Sequence, residues 1–315
     1  MKKISVITPI FNEEESIPHL VNNLLDVFKG LKFQFEIIAV NDGSKDKSEE
    51  VLSKFAKKIP ELKVINFSVN RGQSAALSAG IEKATGEIII TMDSDLENNP
   101  KDIPILVNKL EEGFDVVSGW RKMRWEGKFF SRKLPSVLAN KLISYITGVK
   151  LHDYGCILKA YTRNVISGVH LYGEMHRFIP AYAYWNGARI TEIEVGFSPR
   201  KFGKSNYGFM RTFRVLLDLI VIKYFAKYMN KPMHFFGGLG MFSLFFGSTF
   251  GLLAIVLKIL DLRSFVATPL PIWSALFIIV GVQLMTMGVV AEIVMRTYYE
   301  SQGKTPYKIK NTINF

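Results

Sequence analysis

The sequence is poor in several things that would otherwise define it. It carries a single cysteine, Cys156, so no disulfide can close within the chain, and the expectation is a reducing compartment. It has no phosphate-binding loop. Gly203-Lys204-Ser205 resembles the end of one, but Ser198 stands where the first glycine belongs. No Gly-x-Gly-x-x-Gly follows an apolar run, which argues against a dinucleotide site. The 5 histidines are scattered, without the spacing of a metal centre. No stretch combines a basic helical face with interleaved aromatics, so a nucleic-acid partner is not expected. Met1-Lys2-Lys3 leads straight into Ile4-Ser5-Val6-Ile7, too short for a secretory apolar region, and the amino-terminal domain is expected to stay in the cytoplasm. Charge, finally, is missing from Phe235–Leu257 and Pro271–Ala291. Each run is long enough to cross a hydrocarbon core of roughly 30 Å.

What is present organises around those two runs. The 315 residues carry a formal net charge of +12, and basic residues gather from Arg121 to Lys133, from Arg200 to Lys231 and after Arg296. Two of these clusters border the apolar runs, which favours a membrane surface and phosphate groups as partners. Lys223, Lys227 and Lys231 precede the first run, and Arg296, Lys304, Lys308 and Lys310 follow the second. The connecting segment holds only Lys258, Asp261 and Arg263. This asymmetry predicts two spans at the cell membrane with both termini cytoplasmic. Gly247 and Gly251 form a small-xxx-small pair inside the first run.

Before the spans, apolar runs alternate with charged, helix-period segments. Strands are expected at Ile4–Thr8, Phe35–Val40, Leu62–Phe67, Glu87–Met92 and Asp115–Ser118, with helices at Ser16–Phe28 and Gln73–Ala84. Asn99, Pro100 and Asp102 together signal a helix start, and Leu134–Thr147 reads as another helix. Such alternation implies a mostly parallel α/β sheet covered on both faces. From Gly119 to Lys204 the pattern loosens, with Ile190–Val195 as a further short strand. Phe209–Phe225 is amphipathic: Arg211, Arg214 and Asp218 share one face and Phe213, Leu217, Ile220 and Tyr224 the other, as expected of a helix in the membrane interface.

Ligands of open parallel sheets sit at the carboxyl ends of strands. There the sequence places Thr8 to Glu13, Asn41 to Ser44, and Asp93-Ser94-Asp95. Two carboxylates flanking one residue suit a hard divalent cation whose remaining ligands come from a diphosphate. Taken singly, each of these could be a solvated turn: Asn41-Asp42-Gly43 reads as an Asx turn and Glu13 as an early helix residue.

Taken together they say more. Thr8-Pro9-Ile10-Phe11-Asn12-Glu13-Glu14, Val40-Asn41-Asp42-Gly43-Ser44-Lys45-Asp46, Asn70-Arg71-Gly72-Gln73 and Met92-Asp93-Ser94-Asp95-Leu96 follow in that order. This series closely resembles the family 2 glycosyltransferases of the GT-A fold. With two spans after the domain, the layout is similar to dolichyl-phosphate mannose synthases and bactoprenol glucosyl transferases. The resemblance implies that Pro9, Phe11, Asn12, Glu13, Val40, Asp42, Asp93 and Ser94 hold the nucleotide. It makes Asp93 and Asp95 ligands of Mg2+ or Mn2+, with Glu97 a third carboxylate beside them where the family usually has Gln. Arg121, Arg132 and Ser136 then match positions that grip an acceptor phosphate, and Arg200 and Lys204 a loop over the diphosphate. Asp153 falls where inverting relatives place a catalytic aspartate. A phosphate acceptor is already largely ionised near pH 7 and needs little base help, so a role in positioning is expected for Asp153. Cys156 reads as a small buried residue. Glu174, His176 and Arg177 form a further polar cluster without an assigned role.

The implied architecture is a GT-A domain over residues 1–205, an interfacial segment over 206–232, a two-span anchor over 233–295 and a cytoplasmic tail over 296–315. The implied reaction moves a hexose, with inversion, from a UDP- or GDP-sugar to undecaprenyl or dolichyl phosphate; a homo-oligomer is compatible with it. A processive polysaccharide synthase would need more spans and a Gln-x-x-Arg-Trp motif, which is absent. A non-catalytic membrane scaffold would have no reason to keep Asp93-x-Asp95.

Overall fold

The computed structural model describes residues 2–31, 33–124, 133–167, 175–199, 224, 228 and 231–301. The chain divides into two compact units, Met1–Leu219 and Ile220–Phe315.

The first unit is built on a seven-stranded sheet of order β3-β2-β1-β4-β6-β5-β7. Its strands are β1 Lys3–Ile10, β2 Gln34–Asn41, β3 Leu62–Asn66, β4 Ile88–Thr91, β5 Val116–Trp120, β6 Lys159–Thr162 and β7 Ile190–Glu194. The helices are α1 Ile17–Lys29, α2 Ser48–Ala56, α3 Gln73–Lys83, α4 Ile103–Glu111, α5 Leu134–Thr147, α6 Arg163–Ile166 and α7 Ile179–Trp185. Pairings among β1 to β4 and between β5 and β7 are parallel, whereas β6 runs antiparallel to both β4 and β5.

The central strands β1, β2 and β4 bury both faces. Ile4 and Val6 of β1 join Leu20, Leu24, Leu52 and Leu106 on one side. Ile7, Ile38 and Val40 join Leu77, Ile81 and Ile179 on the other. This two-sided burial is why the strands read as unbroken apolar runs rather than alternating ones. The helix start at Asn99 is present: its side chain accepts from the Lys101 N–H at 3.0 Å, and a 3-10 turn at Pro100–Asp102 leads into α4.

One buried carboxylate ties the sheet's lower half together. Glu36 of β2 accepts from Ser5 Oγ at 2.6 Å, Lys63 Nζ at 2.6 Å, Thr85 N at 2.7 Å and Thr85 Oγ1 at 2.9 Å. Burial alone would raise its pKa; the Lys63, Ser5 and Thr85 hydrogen bonds outweigh it and hold the carboxyl far below the usual range. Glu36→Ala is expected to cost about 3 kcal/mol, because it strands buried donors. A carboxylate with a depressed folded pKa stabilises above its unfolded pKa, about 4.3, and that contribution fades as pH falls below it. The gap between wild type and Glu36→Ala in denaturant melts should therefore be full at pH 7 and shrink in acid.

In the second unit, α8 Pro232–Ile259 and α9 Leu270–Ser301 form a helical hairpin. Pro232–Ile259 and Leu270–Met295 have mean hydropathies of 2.0 and 2.1 and are candidate membrane spans. The small-residue pair has a packing role. A Cβ on Gly247 would lie 2.8 Å from Ile278 Cγ1, and one on Gly251 would lie 2.8 Å from Ser274 Oγ. The close approach lets Ser274 Oγ donate to Gly247 O at 2.7 Å and Ser243 Oγ to Phe277 O at 2.7 Å. Hydrogen bonds to backbone carbonyls between spans suit a medium without water. Of the expected amphipathic segment at 209–225, only Tyr224 lies among the described residues; it stacks edge-on against Phe235.

Candidate active site

The carboxyl ends of β1, β2 and β4 lie side by side, and the loops leaving them are laced together. After β1 the chain turns at Asn12, which adopts φ 55, a conformation asparagine tolerates better than most residues. Its N–H donates to Ser44 Oγ at 3.0 Å and its Oδ1 accepts from Lys45 N at 2.7 Å. Glu13 N donates to Ser48 Oγ at 3.0 Å. Asn12 thus spends its side chain on holding the two loops together. Phe11 is partly exposed beside them, whereas Pro9 and Val40 are buried, Val40 within the core beneath α3.

Asp42, at the end of β2, organises the start of α3. Its Oδ1 accepts from Arg71 N at 2.7 Å, and its Oδ2 from Gly72 N at 2.8 Å and Asn70 Nδ2 at 3.0 Å. One carboxylate thus holds Asn70, Arg71 and Gly72 in succession. Gly72 takes φ 89, which a side chain would resist. Gln73 then reaches Asp93, its Nε2 donating to Asp93 Oδ1 at 2.6 Å.

Asp93-Ser94-Asp95 leaves β4 in a tight turn. Leu96 takes φ 62, unusual for a branched residue and the sort of strain that gathers at functional sites. Asp95 Oδ1 accepts from Glu97 N at 3.0 Å. Burial first, then the neighbouring charge of Asp95, pushes Asp93 up to about 7, with Glu97 adding to the rise and Arg121 and Arg124 opposing it. Two oxygen-bearing side chains whose charges crowd each other fit a hard divalent cation. Among the described residues no three His, Cys, Asp or Glu side chains are grouped to hold one alone. Diphosphate oxygens and water would have to complete the shell.

Beside this turn lies a second charged group, centred on Arg121 at the end of β5 and 4% exposed. It donates to Asp153 through Nε at 2.8 Å and Nη2 at 3.2 Å. Its Nη1 reaches Glu97 Oε2 at 3.4 Å, and Arg124 Nη2 lies 3.7 Å from the same oxygen. Glu97, expected as a third carboxylate near the metal, is paired with these two arginines. Burial would raise Asp153, but Arg121, then Arg124 and Lys159, hold it below the usual carboxylate range.

Several contributors to this site carry no motif. Lys159 is one: it is buried at the start of β6, its ammonium donating to the carbonyls of Cys156 and Tyr154. Burial lowers it to about 8. It braces the turn that carries Asp153. From α5, Asn140 Nδ2 donates to His152 O at 2.7 Å, and Asn140 Oδ1 accepts from Tyr154 N at 3.4 Å. Ser136 lies one turn before Asn140 on that face. Ser74 Oγ and His176 Nδ1 are 2.8 Å apart, tying the start of α3 to the 3-10 turn Met175–Phe178. Arg132, Glu174, Arg200 and Lys204 lie outside the described residues.

The chain is similar to known proteins in sequence and in fold. Residues 5–169 match Glycosyl transferase family 2. Over 98% of its length the chain is 41% identical to a dodecaprenyl-phosphate galacturonate synthase of Rhizobium johnstonii, covering 92% of that protein. It is 35% identical to an undecaprenyl-phosphate 4-deoxy-4-formamido-L-arabinose transferase of Photorhabdus laumondii, covering 99% of this chain and 95% of the relative. In fold it is similar to glucosyl-3-phosphoglycerate synthase of Mycobacterium tuberculosis, solved with Mn2+, uridine diphosphate and phosphoglyceric acid. The TM-score is 0.56 at 18% identity, over 71% of this chain and 78% of that one.

Proposed function

Because this chain belongs to glycosyl transferase family 2, we propose that it transfers a sugar from a nucleoside diphosphate donor to a polyprenyl phosphate, yielding a lipid-linked monophosphate sugar and free nucleotide. The carrying observation is the juxtaposition of two sites in one unit. The Asp93–Asp95 turn suits a metal-bound diphosphate, and the Arg121–Arg124 pair suits an anion beside it. The kinship with a dodecaprenyl-phosphate and an undecaprenyl-phosphate enzyme over nearly the full chain supports a lipid acceptor.

In this reading Asp93 and Asp95 hold Mg2+ or Mn2+, which when bound neutralises charge on the departing diphosphate. Gln73 fixes Asp93, and Asp42 sets the loop in which Gln73 lies. The base and ribose lie over the loops after β1 and β2, near Phe11, Glu13 and Asp42. Asp153, held by Arg121, orients the sugar or the arginines. The acceptor oxygen is already ionised, so attack from the face opposite the leaving group inverts the anomeric carbon without a general base. The family resemblance assigns Ser136 and Arg132 to the acceptor phosphate and Arg200 and Lys204 to the diphosphate, the last three lying outside the described residues.

The hairpin of α8 and α9 anchors the chain where a lipid phosphate resides. The lysines and arginines flanking the spans favour both termini on the cytoplasmic side. Digestion of a carboxyl-terminal tag by protease added to intact cells would refute that orientation.

The test of function is a panel of UDP- and GDP-sugars, uronic and amino sugars included, incubated with full-length protein and undecaprenyl phosphate. One donor should give an alkali-stable glycolipid with release of its nucleoside diphosphate. Polymer formation, or no transfer from any donor, would defeat the reading.

A further inference from the structure

Two guanidinium groups converge on one carboxylate oxygen, Glu97 Oε2, and they do so loosely. The contacts are 3.4 Å from Arg121 and 3.7 Å from Arg124. The same Arg121 makes a short, two-pronged contact with Asp153. A two-pronged arginine–carboxylate pair of that kind is strong and fixed in geometry. The longer, single-oxygen contact to Glu97 is the exchangeable one.

The surroundings of Glu97 are arranged for exchange. Its backbone is anchored on both sides: the N–H donates to Asp95 Oδ1 at 3.0 Å, and the carbonyl accepts from Ser198 N at 3.0 Å. The side chain can therefore leave the arginines without disturbing the Asp-x-Asp turn. Opposite lies Gly155. No left-handed backbone requires glycine there, and a Cβ would make ordinary contacts, 3.4 Å from Asp153 Oδ1, 3.7 Å from Arg121 Nη2 and 3.8 Å from Arg124 Nη1. A side chain there would press against both guanidinium groups.

We propose that the point held by Glu97 Oε2 is the seat of the acceptor phosphate, and that Glu97 is a placeholder anion which the phosphate displaces and which returns after transfer. This rests on the function proposed above. A phosphate monoester brings a charge of about −1.5 to −2 at pH 7, more than the carboxylate it replaces. After transfer it has become a diester with a single charge, and Glu97 competes with it on equal terms. The placeholder thus weakens acceptor binding but promotes product release.

The experiment uses full-length protein in detergent, comparing wild type with Glu97→Gln and Gly155→Ala. Removing a competing ion pair worth about 1 kcal/mol should lower the acceptor KM about fivefold in Glu97→Gln. The donor KM and the Mn2+ concentration for half-maximal rate should not move, and inhibition by the glycolipid product should tighten. Gly155→Ala should raise the acceptor KM and leave the donor KM alone. An unchanged or higher acceptor KM in Glu97→Gln overturns the proposal. A higher Mn2+ requirement makes Glu97 a metal ligand and overturns it too. Tighter binding of uridine diphosphate instead of lipid assigns the seat to the donor, with the same consequence. Calorimetric titration with farnesyl phosphate, without donor, separates this idea from the transfer reaction. Tighter binding by Glu97→Gln in a protein that transfers no sugar would uphold the seat while the transfer reading fell.

Discussion

Asp95→Asn is expected to lower kcat by about a thousandfold or more at saturating substrates, while the protein keeps its fold. Asparagine preserves an oxygen to accept from Glu97 N, the bond that shapes the turn, so the backbone around Leu96 has no cause to relax. What disappears is one of the two negative charges available to a divalent cation. A metal that neutralises a departing diphosphate contributes several kcal/mol to the transition state, and each 1.36 kcal/mol is a factor of ten in rate. The check is a rate measurement across a wide Mn2+ range, alongside a thermal melt. Part of the loss should be recovered at high metal concentration if affinity is weakened. Wild-type rates in Asp95→Asn, or full wild-type activity in excess chelator, would reject metal-assisted transfer.

Asp153→Asn is expected to lower kcat by tenfold to a hundredfold yet leave the shape of the acid limb intact. The size follows from weakening charge-assisted hydrogen bonds to Arg121, worth roughly 1.5–3 kcal/mol. The shape follows from electrostatics. Arg121, Arg124 and Lys159 hold Asp153 below the ordinary carboxylate range despite its burial, so it is ionised throughout any practical assay. An acid limb near pH 6 must then belong to another group: the phosphate acceptor, whose second ionisation lies at about 6, or Asp93, pushed up to about 7 by burial and by Asp95. Rate should fall below that pH in both proteins, from a lower plateau in the mutant. A pH–rate series at saturating donor decides it. Loss of the limb in Asp153→Asn would make Asp153 the base after all.

Much of this architecture could be read before any coordinates, and the reason lies in local physics. The central strands of the first unit are buried on both faces, so β1, β2 and β4 advertise themselves as apolar runs. Leu134–Thr147 has the same bounds in sequence and structure. The two candidate spans stand out because they exclude charge. Strand β6 could not be read: it is 4 residues long and opens on a buried lysine. That Lys159 is legible only once the Cys156 and Tyr154 carbonyls are seen to converge on it. Ser74 and His176 meet across 102 positions of sequence, and no periodicity encodes such a meeting. Glu97 marks the boundary. Its departure from the usual glutamine is visible in the sequence, but only the folded chain shows two arginines turned toward it.

Cys156 has a practical consequence. It is the chain's single cysteine, fully buried behind Asp153, with its thiol pushed upward by burial and so poorly reactive. Asn98 Nδ2 sits 3.7 Å from its sulfur, which links it to the segment after the Asp-x-Asp turn. A thiol reagent can reach it only when this region parts, so its labelling rate in the native protein is a clock for local opening. Nucleotide, metal or lipid that tightens the region should slow the clock. The same silence makes the natural chain a clean background on which a cysteine introduced elsewhere reports alone.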